Sequence, residues 1–137
     1  MATAQLAVKV AGGSMQSANV VLFQSDPAIA QLLAVNLRGQ FHSVHVARSL
    51  GELRAAIAKH RARVAILDVE LSGLADVNQL HQEFPGVAIV CTHRLADEEM
   101  WTAALSAGAD DICPSSDTPG ILRSALRNAS MSHSAAA

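Results

Sequence analysis

Short apolar runs and stretches with helical apolar spacing alternate along most of this chain. Residues 19–24 (NVVLFQ) form a near-continuous apolar run, the pattern of a strand covered on both faces. Asp26 then stands as a helix N-cap with Pro27 at the first helical position. Ile29, Leu32, Leu33 and Leu37 make the inward stripe, and Gly39 is the stop. A second strand is predicted over 43–47. Ser49 and Glu52 form an S-x-x-E capping box, opening a helix to Lys59 with Leu50, Leu53, Ala56 and Ile57 inward. The third strand, 64–67, is the most apolar and ends on Asp68. A loop with Ser72 and Gly73 leads to a short helix over 75–83, halted by Pro85 and Gly86. The fourth strand, 87–91, reaches Thr92. Asp97, Glu98 and Glu99 then load the positive end of a helix that runs to Ala107 and Gly108. A brief strand at 111–113 and a helix opened by Pro119, with Ile121, Leu122 and Leu126 inward, complete the series.

Five strand–helix units with short connections and right-handed crossovers predict an α/β domain, a doubly wound parallel sheet with helices on both faces. Residues 1–18 read as a small-residue leader, 19–129 as the domain and 130–137 as a disordered tail. A length of 137 residues suits one domain. Aromatics are only 3% and tyrosine is absent, so the core must be aliphatic, which suits close helix-on-sheet packing. The net charge of −2, with no basic run, gives nucleic acid or an anionic membrane surface no electrostatic hold. No apolar stretch has the length of a membrane span, and residues 1–13 lack the apolar core of a secretory signal. Two cysteines, Cys91 and Cys113, make no disulfide framework and point to a reducing compartment. The expectation is a soluble cytoplasmic domain.

In such sheets ligands sit at the carboxyl ends of the strands. The residues there are Gln24, Ser25 and Asp26, then Asp68, Thr92 with His93, and Pro114 with Ser115. Alone, Asp68 reads as a helix cap or loop residue. Thr92, ending the neighbouring strand, changes that reading, because its hydroxyl can reach the same point. Together they describe an acceptor carboxylate with a hydrogen-bond donor beside it.

Here the chain resembles the receiver domains of bacterial response regulators, from Asn19 to Asn128. The residues that carry the likeness are VVLFQSDPAIAQLL, VAILDVELSGL, AIVCTHR and, most specifically, ALSAGADDI at 104–112. The resemblance implies a flavodoxin-like five-stranded parallel sheet of order 2-1-3-4-5. It makes Asp68 the position that accepts a phosphoryl group from a histidine kinase, and Thr92 the hydroxyl that follows phosphorylation. An acid pair after the first strand should hold Mg²⁺, and a lysine after the fifth should contact the phosphoryl oxygens.

The chain departs from that pattern at each of these supports. The acid pair falls on Gln24 and Ser25, and Asp26 comes one position late. The lysine position is Ser115, or Cys113 counted from Pro114. The only lysines are Lys9 and Lys59, and the aromatic position before the lysine is Ile112. Mg²⁺ wants an octahedron of hard oxygen ligands, so it is expected to bind weakly at Asp68, and no cofactor is implied. Efficient metal-dependent phosphorylation is therefore not expected.

The reading is an atypical, non-enzymatic receiver module in two-component (phosphorelay) signalling that acts through protein–protein interaction. Its partners would be a histidine kinase, a downstream protein or a second copy. Trp101 and Leu105, four apart on a helix flank, and Ile112 on the next strand are expected to form its apolar docking patch. The alternatives are a receiver phosphorylated at Asp68 with relaxed metal needs, or a flavodoxin-like ligand binder or enzyme using Asp68, Thr92 and His93. His42 and His45, three apart in a strand, point to opposite faces and read as exposed. Cys91 and Cys113 read as small core residues. A phosphate-cradling loop would need glycines after the first strand, and Gly12 and Gly13 precede it.

Overall fold

The computed structural model describes residues 16–136, with side chains from 17 to 131. The predicted leader lies outside the described residues except for 16–18, which open the first strand. The elements are β1 (Gln16–Phe23), α1 (Pro27–Arg38), β2 (Phe41–Val46), α2 (Leu50–His60), β3 (Val64–Asp68), α3 (Val69–Glu83), β4 (Ala88–His93), α4 (Glu98–Ala107), β5 (Asp111–Pro114) and α5 (Thr118–Ala136). The last helix runs through most of the stretch expected as a tail; Ala137 lies outside the described residues.

All strand pairs are parallel and the order is β2–β1–β3–β4–β5, as the resemblance implies. Strand side chains alternate between faces, and so divide the core in two. Val20, Leu22, Val64, Ile66 and Val90 pack under α1 and α5, against Leu33, Leu37, Ile121 and Ala125. Val21, Phe23, Ala65, Leu67 and Ile89 pack on the opposite face, against Leu53, Ile57, Val77, Leu80 and Ala104 of α2, α3 and α4. Each fully buried Leu or Ile contributes about 1.5–3 kcal/mol. In α1 the inward stripe is Ala30, Leu33, Ala34 and Leu37; Leu32, expected inside, is 52% exposed. The buried stripe is centred on Ala30, Leu33, Ala34 and Leu37, and Leu32, about 100° round the helix from Leu33, falls outside it.

The caps read from the sequence are present. Ala28 N donates to Asp26 Oδ1 at 2.8 Å and Glu52 N to Ser49 Oγ at 3.1 Å. Asp97, expected only to complement the positive end of α4, also caps it, accepting from Met100 N at 2.9 Å. After β3 the chain turns directly into α3, where a loop was expected, and Gly73 (φ 80°) interrupts the helix. Gly108 closes α4 at φ 111°, and a Cβ there would stand 2.7 Å from the His81 ring. Asp110 Oδ2 then accepts from Ile89 N at 2.8 Å, tying the entry of β5 to β4. The ALSAGADDI segment is therefore a helix stop followed by a strand clamp, and this positions the loop beyond β5.

Candidate functional site

Asp68, which ends β3, and Thr92, the last residue but one of β4, lie on neighbouring strands in direct register, both buried. Strand spacing puts their backbones about 4.8 Å apart. The apex of the sheet thus brings together the expected residues Gln24, Ser25, Asp68 and Thr92, but the bonding differs from the expectation. Asp68 Oδ2 accepts from Ser25 N at 3.0 Å and from Ser25 Oγ at 2.6 Å. Its Oδ1 accepts from Glu70 N at 2.9 Å, so the carboxylate also caps α3. Thr92 does not supply the donor beside Asp68. Its hydroxyl donates to Gln24 Oε1 at 3.2 Å, and Gln24 Nε2 donates to Phe23 O at 3.2 Å. Two polar residues in the positions of the acid pair have turned that corner into a hydrogen-bonded lock across β1, β3 and β4.

Around the lock, the other predicted positions carry local structure. Asp26 is exposed and spends its carboxylate on the α1 cap. His93 Nδ1 accepts from Leu95 N at 2.9 Å and so holds the turn after β4. Ser115 is buried; its N–H donates to His93 O at 3.0 Å, and its hydroxyl has no hydrogen-bond partner. Cys113, the other register for the lysine position, is a buried core residue. Glu70 bridges to Arg94, accepting from its backbone N at 3.1 Å and from Nε at 2.7 Å. Those bonds, the backbone one foremost, hold the Glu70 carboxyl below the usual carboxylate range. The bridge joins the start of α3 to the loop after β4. No spacing in the sequence announces it, since Glu70 opens α3 and Arg94 lies 24 residues on, in the loop after β4.

The donor set does not fit a Mg²⁺ site. One carboxylate already accepting three hydrogen bonds, an amide and a hydroxyl do not supply an octahedron of hard anionic oxygens. Among the described residues no group of three His, Cys, Asp or Glu side chains could hold a metal ion.

Elsewhere the expectations divide. Trp101 is 48% exposed and Leu105 half-buried, on the flank predicted for them. Ile112 is only 6% exposed and packs in the α2–α4 face of the core, so it drops out of the docking patch. The strand directs this side chain inward, under Ala104 and Ala109. Cys91 and Cys113 are free and buried. Burial, reinforced by the aspartates of β5 and its approach, pushes their thiols up to about 12 and about 11. His42 is exposed as expected, but His45 is half-buried and stacks on His60 with ring centroids 3.6 Å apart. No described helix is long and apolar enough to cross a membrane.

No family model matches the chain. In sequence it is 28% identical over 99 residues to the probable transcriptional regulatory protein TcrX of Mycobacterium tuberculosis, across 70% of this chain and 42% of that protein. The chain thus spans less than half the length of that relative. In three dimensions it is similar to a CheY-like response regulator receiver domain protein from Methanospirillum hungatei JF-1 (TM-score 0.75, 20% identity, 87% of this chain and 98% of that one). It is similar also to the N-terminal signal receiver domain of a two-component response regulator from Bacteroides fragilis (TM-score 0.76, 17% identity, 83% and 98%). NtrX from Brucella abortus matches with a TM-score of 0.73 at 21% identity, over 88% of this chain and 29% of its own. Sheet order, an aspartate ending β3 in register with a threonine one residue short of the end of β4, and these likenesses together identify the chain as a domain with the response regulator receiver fold.

Proposed function

We propose that this domain is an atypical receiver module of two-component signalling, cytoplasmic and non-enzymatic, which works by binding protein partners without a phosphorylation switch. The observation that carries this reading is the lock on Asp68. Phosphoryl transfer relies on positioning and on cations that neutralise the transferring oxygens. Here the oxygen nearest the β1 loop already accepts two bonds from Ser25, and no acid pair stands by to recruit a metal. The position that should supply a lysine holds Ser115, and Lys59 lies in the last turn of α2, at the end of the sheet away from Asp68. Each missing charge-assisted contact removes about 1.5–3 kcal/mol from the phosphorylated state. A histidine kinase or a downstream regulator remains the partner class, with contact through Trp101 and Leu105. The free, buried cysteines support a reducing compartment.

The register of Asp68 with Thr92 favours one competing reading, a receiver that is still phosphorylated but with relaxed metal needs. Treatment with acetyl phosphate, with and without Mg²⁺, followed by intact mass, separates the two. The expected result is protein left mostly unmodified under both conditions. Stoichiometric modification that disappears in Asp68→Asn overturns the proposal; dependence on Mg²⁺ would also overturn the metal argument.

A further inference from the structure

A second feature sits beside the lock and is not used by it. Between α1, the carboxyl ends of β1 and β2 and the start of α3 lies a cleft of about 630 Å³. That volume falls within the about 300–1,000 Å³ of small-molecule sites, and sheet edges near the switch in strand order are where such sites form. Its apolar lining includes the buried Phe23 and Ala30 and two large exposed side chains, Val46 and Leu71, 43% and 47% exposed. Among the described residues Arg48 is the only charged one lining it, and its guanidinium forms no ion pair with any of them. The nearby acids are engaged elsewhere. Asp26 Oδ1 caps α1, Glu52 Oε1 accepts from the Arg48 backbone N at 2.8 Å, and Asp68 is held by Ser25.

We propose that this cleft binds a small amphipathic anion, an apolar body bearing one carboxylate. The body would lie between Val46 and Leu71, and the carboxylate would take the Arg48 fork, with Gln31 offering a further polar contact. Gln24 and Ser25 line the cleft where an acid pair would have repelled an anion. Because Gln24 and Ser25 belong to both features, an occupant would rest against the loop that locks Asp68. This inference goes beyond the proposed signalling role and does not depend on the phosphorylation outcome.

The test uses 2-naphthoate and its neutral counterpart 2-naphthamide, titrated into the full chain and followed by methyl and amide chemical shifts. The expected result is binding with shifts centred on Phe23, Val46 and Leu71, and a preference for the anion of about tenfold, the lower end for a charge-assisted contact. Arg48→Gln, an exposed position whose backbone bond to Glu52 is retained, should abolish that preference and leave naphthamide binding unchanged. Leu71→Gln should weaken both ligands. Absence of binding at millimolar concentration, shifts centred elsewhere, or a preference that survives Arg48→Gln overturns the proposal.

Discussion

If Ser25 locks Asp68, the two residues must be energetically coupled, and a double-mutant cycle measures how strongly. The perturbation is Ser25→Ala, which deletes the hydroxyl at 2.6 Å and leaves the backbone donor at 3.0 Å in place. The distance is that of a strong O–H···O⁻ bond, and bonds to charged groups are worth about 1.5–3 kcal/mol. Asp68 is only 3% exposed, which argues for the upper part of that range, whereas Ser25 is exposed and water can replace its hydroxyl. The coupling expected from Ser25→Ala, Asp68→Ala and the double variant is therefore about 1–2 kcal/mol. Urea unfolding monitored by far-UV dichroism reads it, with unchanged m values showing that the denatured state is not responsible. In the Asp68→Ala background the serine substitution should cost almost nothing. A coupling under about 0.5 kcal/mol, the ordinary scatter of additive substitutions, would refute the lock as an energetic feature.

Three further outcomes follow from the geometry. Gln24→Asp combined with Ser25→Asp replaces the lock with two carboxylates beside Asp68, and calorimetry should then detect Mg²⁺ binding that is absent from the wild type; no heat in the double variant would mean that the apex backbone is remodelled. Ile112→Ala should cost about 2–4 kcal/mol in urea unfolding because it empties a core position, whereas Leu105→Glu should leave the fold intact and reduce partner binding or self-association, read by light scattering. The thiols of Cys91 and Cys113, raised to about 12 and about 11 in the folded state, should resist iodoacetamide at pH 8 until the protein unfolds. Because these folded values lie above the unfolded ones, the stabilisation is fully present below pH about 9 and is lost as pH rises from there through about 11 to 12.

Much of the architecture is written locally. Continuous apolar runs such as VVLF and VAILD can be satisfied only by strands covered on both faces, and Asp26, Ser49 and Asp97 cap the helices that follow. Those signals act over a few residues, so the chain carries them without reference to its fold. The positions of Gln24, Ser25, Asp68 and Thr92 were legible for the same reason, each lying at or within two residues of the end of an apolar strand.

Their partners were not legible. Ser25 and Asp68 are 43 residues apart and Gln24 and Thr92 are 68 apart, and only the side-by-side register of β1, β3 and β4 decides which hydroxyl meets which acceptor. The same holds for burial at the margins of the helices and at the sheet edge. Leu32 was expected inside and Ile112 at the surface, and the structure reverses both. The face of α1 that packs on the sheet is centred on Ala30, Leu33, Ala34 and Leu37 and leaves the first outside, and the seating of α4 over β5 covers the second. Periodicity specifies that a face is apolar, but only packing against a particular neighbour selects which residues at its edge are covered.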